Sequence, residues 1–478
     1  MKKSQFFVIL FFLAALLFSG SNVSAEKNLY DDFSTGYIDG NKWSQREFVL
    51  EIVNGKFVSK IGNRSPGMSA EIYPGLFRNN LGFVNPDSIY SIECEVTLVE
   101  AKLDSGQSAR SFARISGNFY NVNDTGGRTG DISFEIMIGE RGNNGIEAFW
   151  EVSQVLTDDG TNWTEIANGT LIGPNNLQYN TPYTVKLAYD NDRTFTFSVN
   201  QISDSYIGPV KRRGPVVEGK SLATCIDAIN GSNNGFISAT FDNVRINNQT
   251  VIYDDFSSGL INRNKWGRGE WIREVSTGYL RANIIGNGST EAVSTYLTEK
   301  DTPYLETKVF IDSDSQLSAG AWGIGRLQGY YYNDSRGSGS GQPYNEYEGD
   351  VFAQVRLRYN SNGTLSANAY VDRSNDAEEN NYTNLFTHNF SVPIKLDTYY
   401  TLSIRLEGKK LIFQCDDEKT VYNIITPLYP AYGEHRLLRS RVHLDPGETG
   451  YLKVRFDDVY IETKGKGNPS IPLLLLSE

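Results

Sequence analysis

Three acidic side chains at alternate positions, Glu346, Glu348 and Asp350, have the residue types and spacing for acid–base chemistry. In a strand, neighbouring members of this set would lie about 6.6 Å apart, because a strand rises ~3.3 Å per residue. Hydrolysis of a glycosidic bond needs two carboxyl groups about 5–5.5 Å or roughly 6.5–9.5 Å apart. The simpler interpretation is an acidic loop that leads into a strand. We therefore predict no catalytic site and keep Glu348 and Asp350 as the residues to test first if one exists.

A second set combines arginine, aromatic and aspartate side chains. Such groups bind sugars by stacking a ring on the apolar face of the sugar and by hydrogen bonding its hydroxyls. The set occurs twice along the chain in the same order, which favours two related ligand sites. The same residues would also serve as buried Arg–Asp pairs that fix strand register. The predicted ligand-binding residues are Arg114, Tyr120, Asp131, Trp322, Arg326, Tyr330, Tyr332 and Asp350.

Histidines and cysteines add no further site. The three histidines are His388, His435 and His443, and they form neither a Ser/His/Asp arrangement nor a metal-ligand spacing. The segment from His435 to His443 is locally basic, which we interpret as a solvated strand face. The three cysteines are Cys94, Cys225 and Cys415. An odd number at unrelated positions is not a disulfide framework, so we expect buried free thiols, with a Cys94–Cys225 bridge as the alternative.

The sequence segments that should position these residues occur twice along the chain. Tyr30–Trp43 reads YDDFSTGYIDGNKW and Tyr253–Trp266 reads YDDFSSGLINRNKW, and we call these the opening segments. The closing segments are FDNVRI at Phe241–Ile246 and FDDVYI at Phe456–Ile461. Between them the two halves align almost strand for strand, so that Asp131 corresponds to Asp350. We predict two tandem units of one fold, formed by duplication.

Strand signals recur throughout each unit. In Ile132, Phe134, Ile136 and Ile138 the apolar residues take every second place, which is the period of a strand with one buried face. Asn, Gly, Asp and Ser clusters separate the runs, and no amphipathic helix longer than about two turns is found. The fold class is therefore all-β, as two tandem antiparallel β-sandwiches. In the first unit the predicted strands are Val49–Val53, Lys56–Ile61, Ile89–Val99, Ala109–Tyr120, Asp131–Ile138, Ile146–Val155, Tyr183–Tyr189, Thr194–Val199 and Phe236–Ile246.

The chain begins like an exported protein. Lys2 and Lys3 precede an apolar run, and Val23-Ser24-Ala25 supplies the small residues of a cleavage site. We predict a signal peptide at residues 1–25, with no membrane span after its removal. The predicted units are residues 26–248 and 249–463, followed by an irregular tail at 464–478. The final destination is open between secretion, periplasm and cell surface.

Charge excludes some partners. The formal net charge is −12, and removal of Lys2 and Lys3 with the signal peptide makes it about −14. An acidic protein without a long basic run is not attracted to nucleic acid or to an anionic membrane. We therefore expect no nucleic-acid partner.

The opening and closing segments resemble those of the concanavalin A-like lectin/glucanase jelly rolls. This resemblance implies two curved antiparallel sheets in each unit, with the first and last strands adjacent and a concave face that often binds carbohydrate. The laminarinase-like branch of this superfamily carries an E-x-D-x-(x)-E strand motif. In the second unit, Gln354 occupies the position that corresponds to Glu135 of the first unit, so this carboxylate is missing there. Similar sandwiches hold Ca²⁺ near the start of the last strand, which implies Asp242 and Asp457 as metal ligands. The alternative is that each aspartate caps a strand-entry turn.

These observations favour an exported protein that binds a polysaccharide or another extracellular or cell-envelope glycan without catalysis. A glycoside hydrolase or polysaccharide lyase with its site in the second unit is the first alternative. A structural protein that uses its sandwiches as rigid spacers is the second. No cofactor is predicted other than the calcium ion.

Overall fold

The structure is a computed structural model, which describes residues 27–62, 75–103, 109–142, 144–190, 192–228, 235–334, 347–433 and 435–462. All regular structure in these residues is β-strand and all strand pairs are antiparallel, so the predicted all-β fold is confirmed. The predicted signal peptide and the tail at 464–478 lie outside the described residues. Across the described part of the chain, no helix is long and apolar enough to cross a membrane.

Two six-stranded sheets form the outer layers of the molecule, one in each half of the chain. The first outer sheet has the order β4-β13-β6-β7-β8-β9 and consists of β4 (Gly75–Gly82), β6 (Arg110–Asn121), β7 (Asp131–Arg141), β8 (Ile146–Val155), β9 (Trp163–Ile172) and β13 (Lys220–Ala228). The second outer sheet has the order β17-β27-β20-β21-β22-β23 and consists of β17 (Glu291–Tyr296), β20 (Trp322–Asn333), β21 (Asp350–Asn360), β22 (Leu365–Ser374), β23 (Tyr382–Asn389) and β27 (Arg436–His443).

The other strands join into one sheet of 17 strands that both halves share. The first half supplies β1 (Lys27–Asp31), β2 (Glu47–Val53), β3 (Lys56–Gly62), β5 (Ser91–Leu103), β10 (Pro182–Tyr189), β11 (Thr194–Val199), β12 (Ile202–Ile207) and β14 (Gly235–Ile246). The second half supplies β15 (Trp271–Ser276), β16 (Tyr279–Asn287), β18 (Tyr304–Ile311), β19 (Gln316–Leu317), β24 (Tyr400–Glu407), β25 (Lys410–Cys415), β26 (Glu418–Asn423), β28 (Thr449–Leu452) and β29 (Val454–Glu462). Strands β2 and β15 pair where the halves meet.

Each outer sheet packs on its own half of the shared sheet, and we call the two resulting layer pairs the first and second sandwich. In the first, Trp150 of the outer sheet stacks on Phe197 of the shared sheet, with ring centroids 4.7 Å apart. In the second, Leu327 and Val355 of the outer sheet share a core with Val309 and Phe413. Burial of such apolar faces is the main driving force for this layering.

The opening segments are exchanged between the sandwiches. Phe33 and Trp43 lie in the core of the second sandwich, and Phe256 and Trp266 lie in the core of the first. Strand β1 accordingly pairs with β29, and Asp254 forms a bridge with Val244 of β14. Each opening segment does meet a closing segment, but not the closing segment of its own unit. The first opening segment meets the closing segment of the second unit, and the second opening segment meets that of the first unit. The expectation that a segment closes its own unit is corrected in this respect.

The alternation in the sequence sets which residues face the core. Ile132, Phe134, Ile136 and Ile138 belong to the first core, as the period of two predicts. All nine predicted strands of the first unit are present, with ends that differ by a few residues. Strands β4, β9, β12 and β13 were not predicted. Strands β9 and β12 are largely exposed, so they lack the apolar alternation that identifies a strand.

Candidate functional site

The outward face of each outer sheet carries the polar side chains that alternate with core residues. On β7 the residues that alternate with the core-facing ones are Ser133, Glu135 and Met137, and their side chains point away from the core. We call this surface the first outer face, and its counterpart on β20, β21, β22 and β27 the second outer face. Most of the predicted arginine and aromatic candidates belong to the strands that form these two faces.

Paired charges cover the first outer face. Arg114 donates from Nη1 to Glu135 Oε2 at 2.5 Å, and Arg110 donates to Glu151 Oε2 at 2.6 Å. The side chain of Arg114 is 1% exposed, whereas that of Glu135 is 22% exposed, so the carboxylate is the accessible partner. The pairs hold their hydrogen-bonding groups in fixed positions, because each charge satisfies the other.

A cavity of about 120 Å³ lies among these pairs. Phe112 and Met137 form its apolar floor. They belong to a small apolar cluster, separate from the main core, that also contains Phe149, Ala223 and Cys225. Trp163 at the start of β9 is 49% exposed and lines the same cavity. An apolar floor, an accessible aromatic ring and a few fixed polar groups are the usual components of a small-ligand site.

Glu135 and Glu151 occupy directly opposite positions on β7 and β8. Burial raises the pKa of Glu151; Arg110 opposes the rise and the neighbouring Glu135 adds to it. Side chains directly opposite on an antiparallel pair have Cβ atoms about 4.5–5.5 Å apart. The sheet therefore brings two carboxyl groups of different environment together on one face.

The second outer face is dominated by arginine. Arg326 of β20 lies directly opposite Arg439 of β27 on one side and Arg356 of β21 on the other, and Arg441 lies two residues further along β27. We call these four residues the arginine cluster. Arg326 and Arg356 are buried, at 5% and 8% exposure. Among the described residues, none of the four guanidinium groups forms an ion pair.

Neutral groups hold the arginine cluster in place. Arg326 donates to Gln354 Oε1 at 2.5 Å, and Arg439 donates from Nε to Ser294 Oγ at 2.6 Å. The guanidinium of Arg356 lies over the ring of Tyr370, 4.1 Å from its centroid. Burial lowers the pKa of Arg326 well below its usual value, and the three neighbouring arginines lower it further.

The two predicted aspartates lie away from these faces. Asp131 is fully buried and accepts hydrogen bonds from Asn121 Nδ2 at 2.7 Å and from the amide of Val216 at 3.0 Å. Asp350 is equally buried and accepts from Asn333 Nδ2 at 2.7 Å and from the amide of Gly433 at 2.8 Å. Each aspartate holds a loop against the end of its sheet, so its carboxylate is not available to a ligand in this structure.

Two of the predicted tyrosines point inward. Tyr120 and Tyr332 are buried in the first and second core. The cause is a β-bulge at the end of β6 and of β20, which shifts the register between Asn118 and Tyr120 and again between Tyr330 and Tyr332. A bulge turns two consecutive residues to the same side of a strand.

Trp322, Arg326 and Tyr330 lie on the outward side of β20. Trp322 is half-buried and stacks on His443, with ring centroids 4.7 Å apart. Tyr330 is 3% exposed and packs against Phe352 at the far end of the face. The structure thus places Trp322 beside the arginine cluster, to which Arg326 belongs, whereas Tyr330 lies in a separate apolar group.

Only two members of the predicted acidic triplet are described, and they lie in different environments. Glu346 lies outside the described residues, Glu348 is exposed in a turn, and Asp350 is buried. On the first outer face, the strand register instead places Glu135 opposite Glu151. Glu151 was missed because its partner is on a neighbouring strand, and only the strand register shows this.

The two predicted metal ligands lie at equivalent positions of β14 and β29. Asp242 and Asp457 each accept a hydrogen bond from the amide of the next residue, at 2.7 and 2.8 Å. No group of three or more His, Cys, Asp or Glu side chains that could hold a metal ion occurs in the described residues. A calcium ion there would depend on backbone oxygens, and it remains a prediction. The three cysteines are buried and none of them is in a disulfide, so the Cys94–Cys225 bridge is not formed.

Comparisons with known proteins give a likeness of fold. No family model matches the chain, and no curated protein is detectably similar to it in sequence. Similar solved structures include a β-1,3-1,4-glucanase (lichenase) derived from a mouse hindgut metagenome, at 11% identity and TM-score 0.26 over 40% of this chain and 82% of that chain. The alginate lyase AlyC3 has 11% identity and TM-score 0.27 over 46% and 84%. The κ-carrageenase of Pseudoalteromonas carrageenovora has 10% identity and TM-score 0.24 over 40% and 82%.

Proposed function

We propose that this is an exported protein that binds a polysaccharide or another extracellular or cell-envelope glycan on the outward faces of its outer sheets. The observation that carries the proposal is the cavity of the first outer face, where Trp163 and the apolar floor of Phe112 and Met137 adjoin the ion pair of Arg110 with Glu151 and the carboxylate of Glu135. A sugar presents an apolar ring face and a rim of hydroxyl groups. The cavity offers complements to both.

Export is supported by the first residues of the chain. A charged start at Lys2 and Lys3, an apolar run and a small-residue cleavage site are the features of a secretory signal. The net charge of −12 argues against nucleic acid as the ligand, because the phosphate backbone is repelled by an acidic protein.

The binding proposal is tested with a glycan array and a Trp163→Ala variant. Loss of a stacking ring is expected to weaken glycan binding by about three- to tenfold. Tyr399 is a matched control, because it is 37% exposed but lies next to β24 of the shared sheet, away from the outer faces. Tyr399→Ala is expected to bind as the unaltered protein does. If no glycan is retained by the unaltered protein, the spacer alternative is favoured instead.

Glycoside hydrolysis is a second candidate function, and the opposition of Glu135 and Glu151 is what favours it. Enzymes that retain the anomeric configuration use two carboxyl groups about 5–5.5 Å apart, and opposite strand positions are close enough for two glutamate side chains to reach this separation. The raised pKa of Glu151 would suit a proton donor, although its pairing with Arg110 opposes this role. Release of reducing ends that disappears in Glu151→Gln would establish cleavage. Glycan binding without release would leave the non-catalytic proposal standing.

A further inference from the structure

We propose that the second outer face binds the anionic group, a carboxylate or a sulfate ester, of a charged glycan through the arginine cluster of Arg326, Arg356, Arg439 and Arg441. This inference rests on the proposed glycan binding and names the ligand class of one of its two faces. The two outer sheets are built on the same plan but differ in the charged residues of their outward faces.

The two outer sheets have equivalent cross-strand rows. In the first, the row through Arg114 runs Ala223–Arg114–Met137, and the adjacent pair is Cys225–Phe112. In the second, the row through Arg326 runs Arg439–Arg326–Arg356, and the adjacent pair is Arg441–Ile324. Three members of the small apolar cluster in the first sandwich, Met137, Ala223 and Cys225, are therefore replaced by arginine in the second. A solvated strand face would not require this concentration at buried positions.

The first sandwich also has an internal counter-ion that the second lacks. Glu135 neutralises Arg114 from a position four residues after Asp131. Gln354 stands at the same position, four residues after Asp350, and offers Arg326 only a neutral amide oxygen. The second outer face thus keeps its arginine without the carboxylate.

Buried guanidinium groups that lack an anion are energetically unfavourable. Among the described residues, the Nε atoms of Arg326 and Arg356 are buried and have no hydrogen-bond partner. Within the same part of the chain, the acidic groups that face the cluster are Asp372, which accepts from Asn384 Nδ2 at 2.8 Å, and Glu379. Two carboxyl groups do not balance four guanidiniums. A bound anion would pair with the cluster and recover the cost of leaving buried charges unpaired.

The chemistry of the cluster suits an oxyanion on a sugar. Guanidinium groups donate planar, paired hydrogen bonds that match carboxylate and sulfate oxygens. Trp322 and Tyr370 lie beside Arg356, at 5.7 and 4.1 Å from its guanidinium, and supply aromatic surface for a sugar ring. Because the whole protein carries a net charge of −12, general attraction of polyanions is not expected, and their binding would report a local site.

The test compares three soluble polysaccharides by calorimetry on the full chain: polygalacturonate, dextran sulfate and uncharged dextran. The unaltered protein is expected to bind at least one of the two charged polymers. Binding of polygalacturonate would indicate a site for a carboxylate, and binding of dextran sulfate a site for a sulfate ester. Arg439→Gln combined with Arg441→Gln is expected to weaken that binding about tenfold or more, because two charge-assisted contacts are removed. Both residues are half-buried, so folding should be retained. Arg405→Gln, which breaks an ion pair with Glu462 in the shared sheet, is the matched control and is expected to bind normally.

A gain-of-charge variant makes the test independent of folding defects. Gln354→Glu places a carboxylate where the first sandwich has Glu135, so it should raise the melting temperature and weaken binding of the charged polymer. Sodium sulfate should raise the melting temperature of the unaltered protein more than sodium chloride at equal ionic strength, and less in the variant. Equal binding of charged polymers by the unaltered protein, the double arginine variant and Gln354→Glu would overturn the inference. Binding of only neutral glycans, abolished by Trp163→Ala, would overturn it while leaving the proposed function intact.

Discussion

Asp31 and Asp254 explain, at the scale of single residues, why the opening segment occurs twice. Asp31 accepts a hydrogen bond from the indole of Trp43 at 2.7 Å and from the amide of Phe33 at 3.0 Å. Asp254 makes the same bonds to Trp266, at 2.7 Å, and to the amide two residues further on, at 3.1 Å. The repeated letters therefore specify a buried tryptophan anchor. Their recurrence reflects structure and not a repeated binding site.

Removal of this anchor should destabilise the protein. Asp254→Ala leaves the buried indole N–H of Trp266 without an acceptor, which costs about 1–3 kcal/mol of unfolding free energy. The measurement is equilibrium unfolding in urea, followed by tryptophan fluorescence. Asp255→Ala is the matched control, because Asp255 is exposed and bonds only to Ser257. A loss of the same size in both variants would contradict the anchoring role.

At the scale of elements, the pairing of β2 with β15 makes the two half-sheets continuous. Val49 lies opposite Ile272, and the pairs on either side are Leu50 with Trp271 and Phe48 with Arg273. The equivalent strands of the two units thus meet each other across an approximate two-fold axis. Four glutamates are buried at this junction, Glu47, Glu51, Glu270 and Glu274. Arg281 pairs with both Glu51 and Glu274, whereas Glu270 has no ion-pair partner among the described residues.

This difference predicts a pH-dependent stability. Burial raises the pKa of Glu270 from 4.5 to about 7, although it accepts a hydrogen bond from the amide of Ile52. The stabilising contribution of its neutral form is complete below pH 4.5 and is lost as the pH rises through about 7. Glu270→Gln should therefore be more stable than the unaltered protein at pH 8, by roughly 2 kcal/mol.

The comparison needs urea unfolding at pH 8 and near pH 4.5, where the two proteins should differ little. Glu274→Gln serves as the opposite control, since Glu274 pairs with Lys60 and Arg281 and its neutralisation should destabilise the junction at pH 8. A Glu270→Gln variant that is less stable than the unaltered protein at pH 8 would contradict this prediction, because it would show that the ionised carboxylate of Glu270 is stabilised in the folded protein.

Local patterns in the sequence predicted the elements but not their lateral contacts. The period of two identified β7 and placed Glu135 outward, and the basic segment at 435–443 contains the alternate arginines Arg439 and Arg441. Their meaning as a cluster depends on Arg326 and Arg356, which reach them only through strand register. The bulge that turns Tyr120 inward is likewise invisible in the alternation, because a bulge interrupts the period that identifies the strand. Contacts across strands join distant parts of the chain, and a single sequence does not specify them.

At the scale of the whole molecule, the exchange of opening segments links the two sandwiches. The second opening segment follows β14 after a short turn, so it folds back beside β14 and contributes Trp266 to the first core. Closing a short loop costs little chain entropy, which favours this local arrangement. The first opening segment lies at the start of the described residues, and its strand β1 pairs with β29, with Lys27 opposite Glu462. Each core therefore receives the opening segment that its closing strand can reach.

The exchange predicts which part of the chain can fold alone. The predicted units of 26–248 and 249–463 follow the repeat, whereas the packing indicates a first sandwich that runs from about residue 45 to 267. A fragment of residues 26–248 retains β1 without β29 and lacks Phe256 and Trp266. Loss of a buried aromatic side chain costs about 3–5 kcal/mol, and here two are missing. A fragment of residues 45–267 has the same length and keeps both.

Circular dichroism and urea unfolding of the two fragments decide between these limits. Residues 45–267 are expected to unfold in one cooperative transition, and residues 26–248 are expected to be largely unfolded or aggregated. The exposed edge of β2 is common to both fragments, so it does not account for a difference between them. Restoring residues 249–267 to the 26–248 fragment should recover the transition, because it returns Trp266 to its place beside Phe83. Equal stability of the two original fragments would contradict the exchange and support the limits drawn from the repeat.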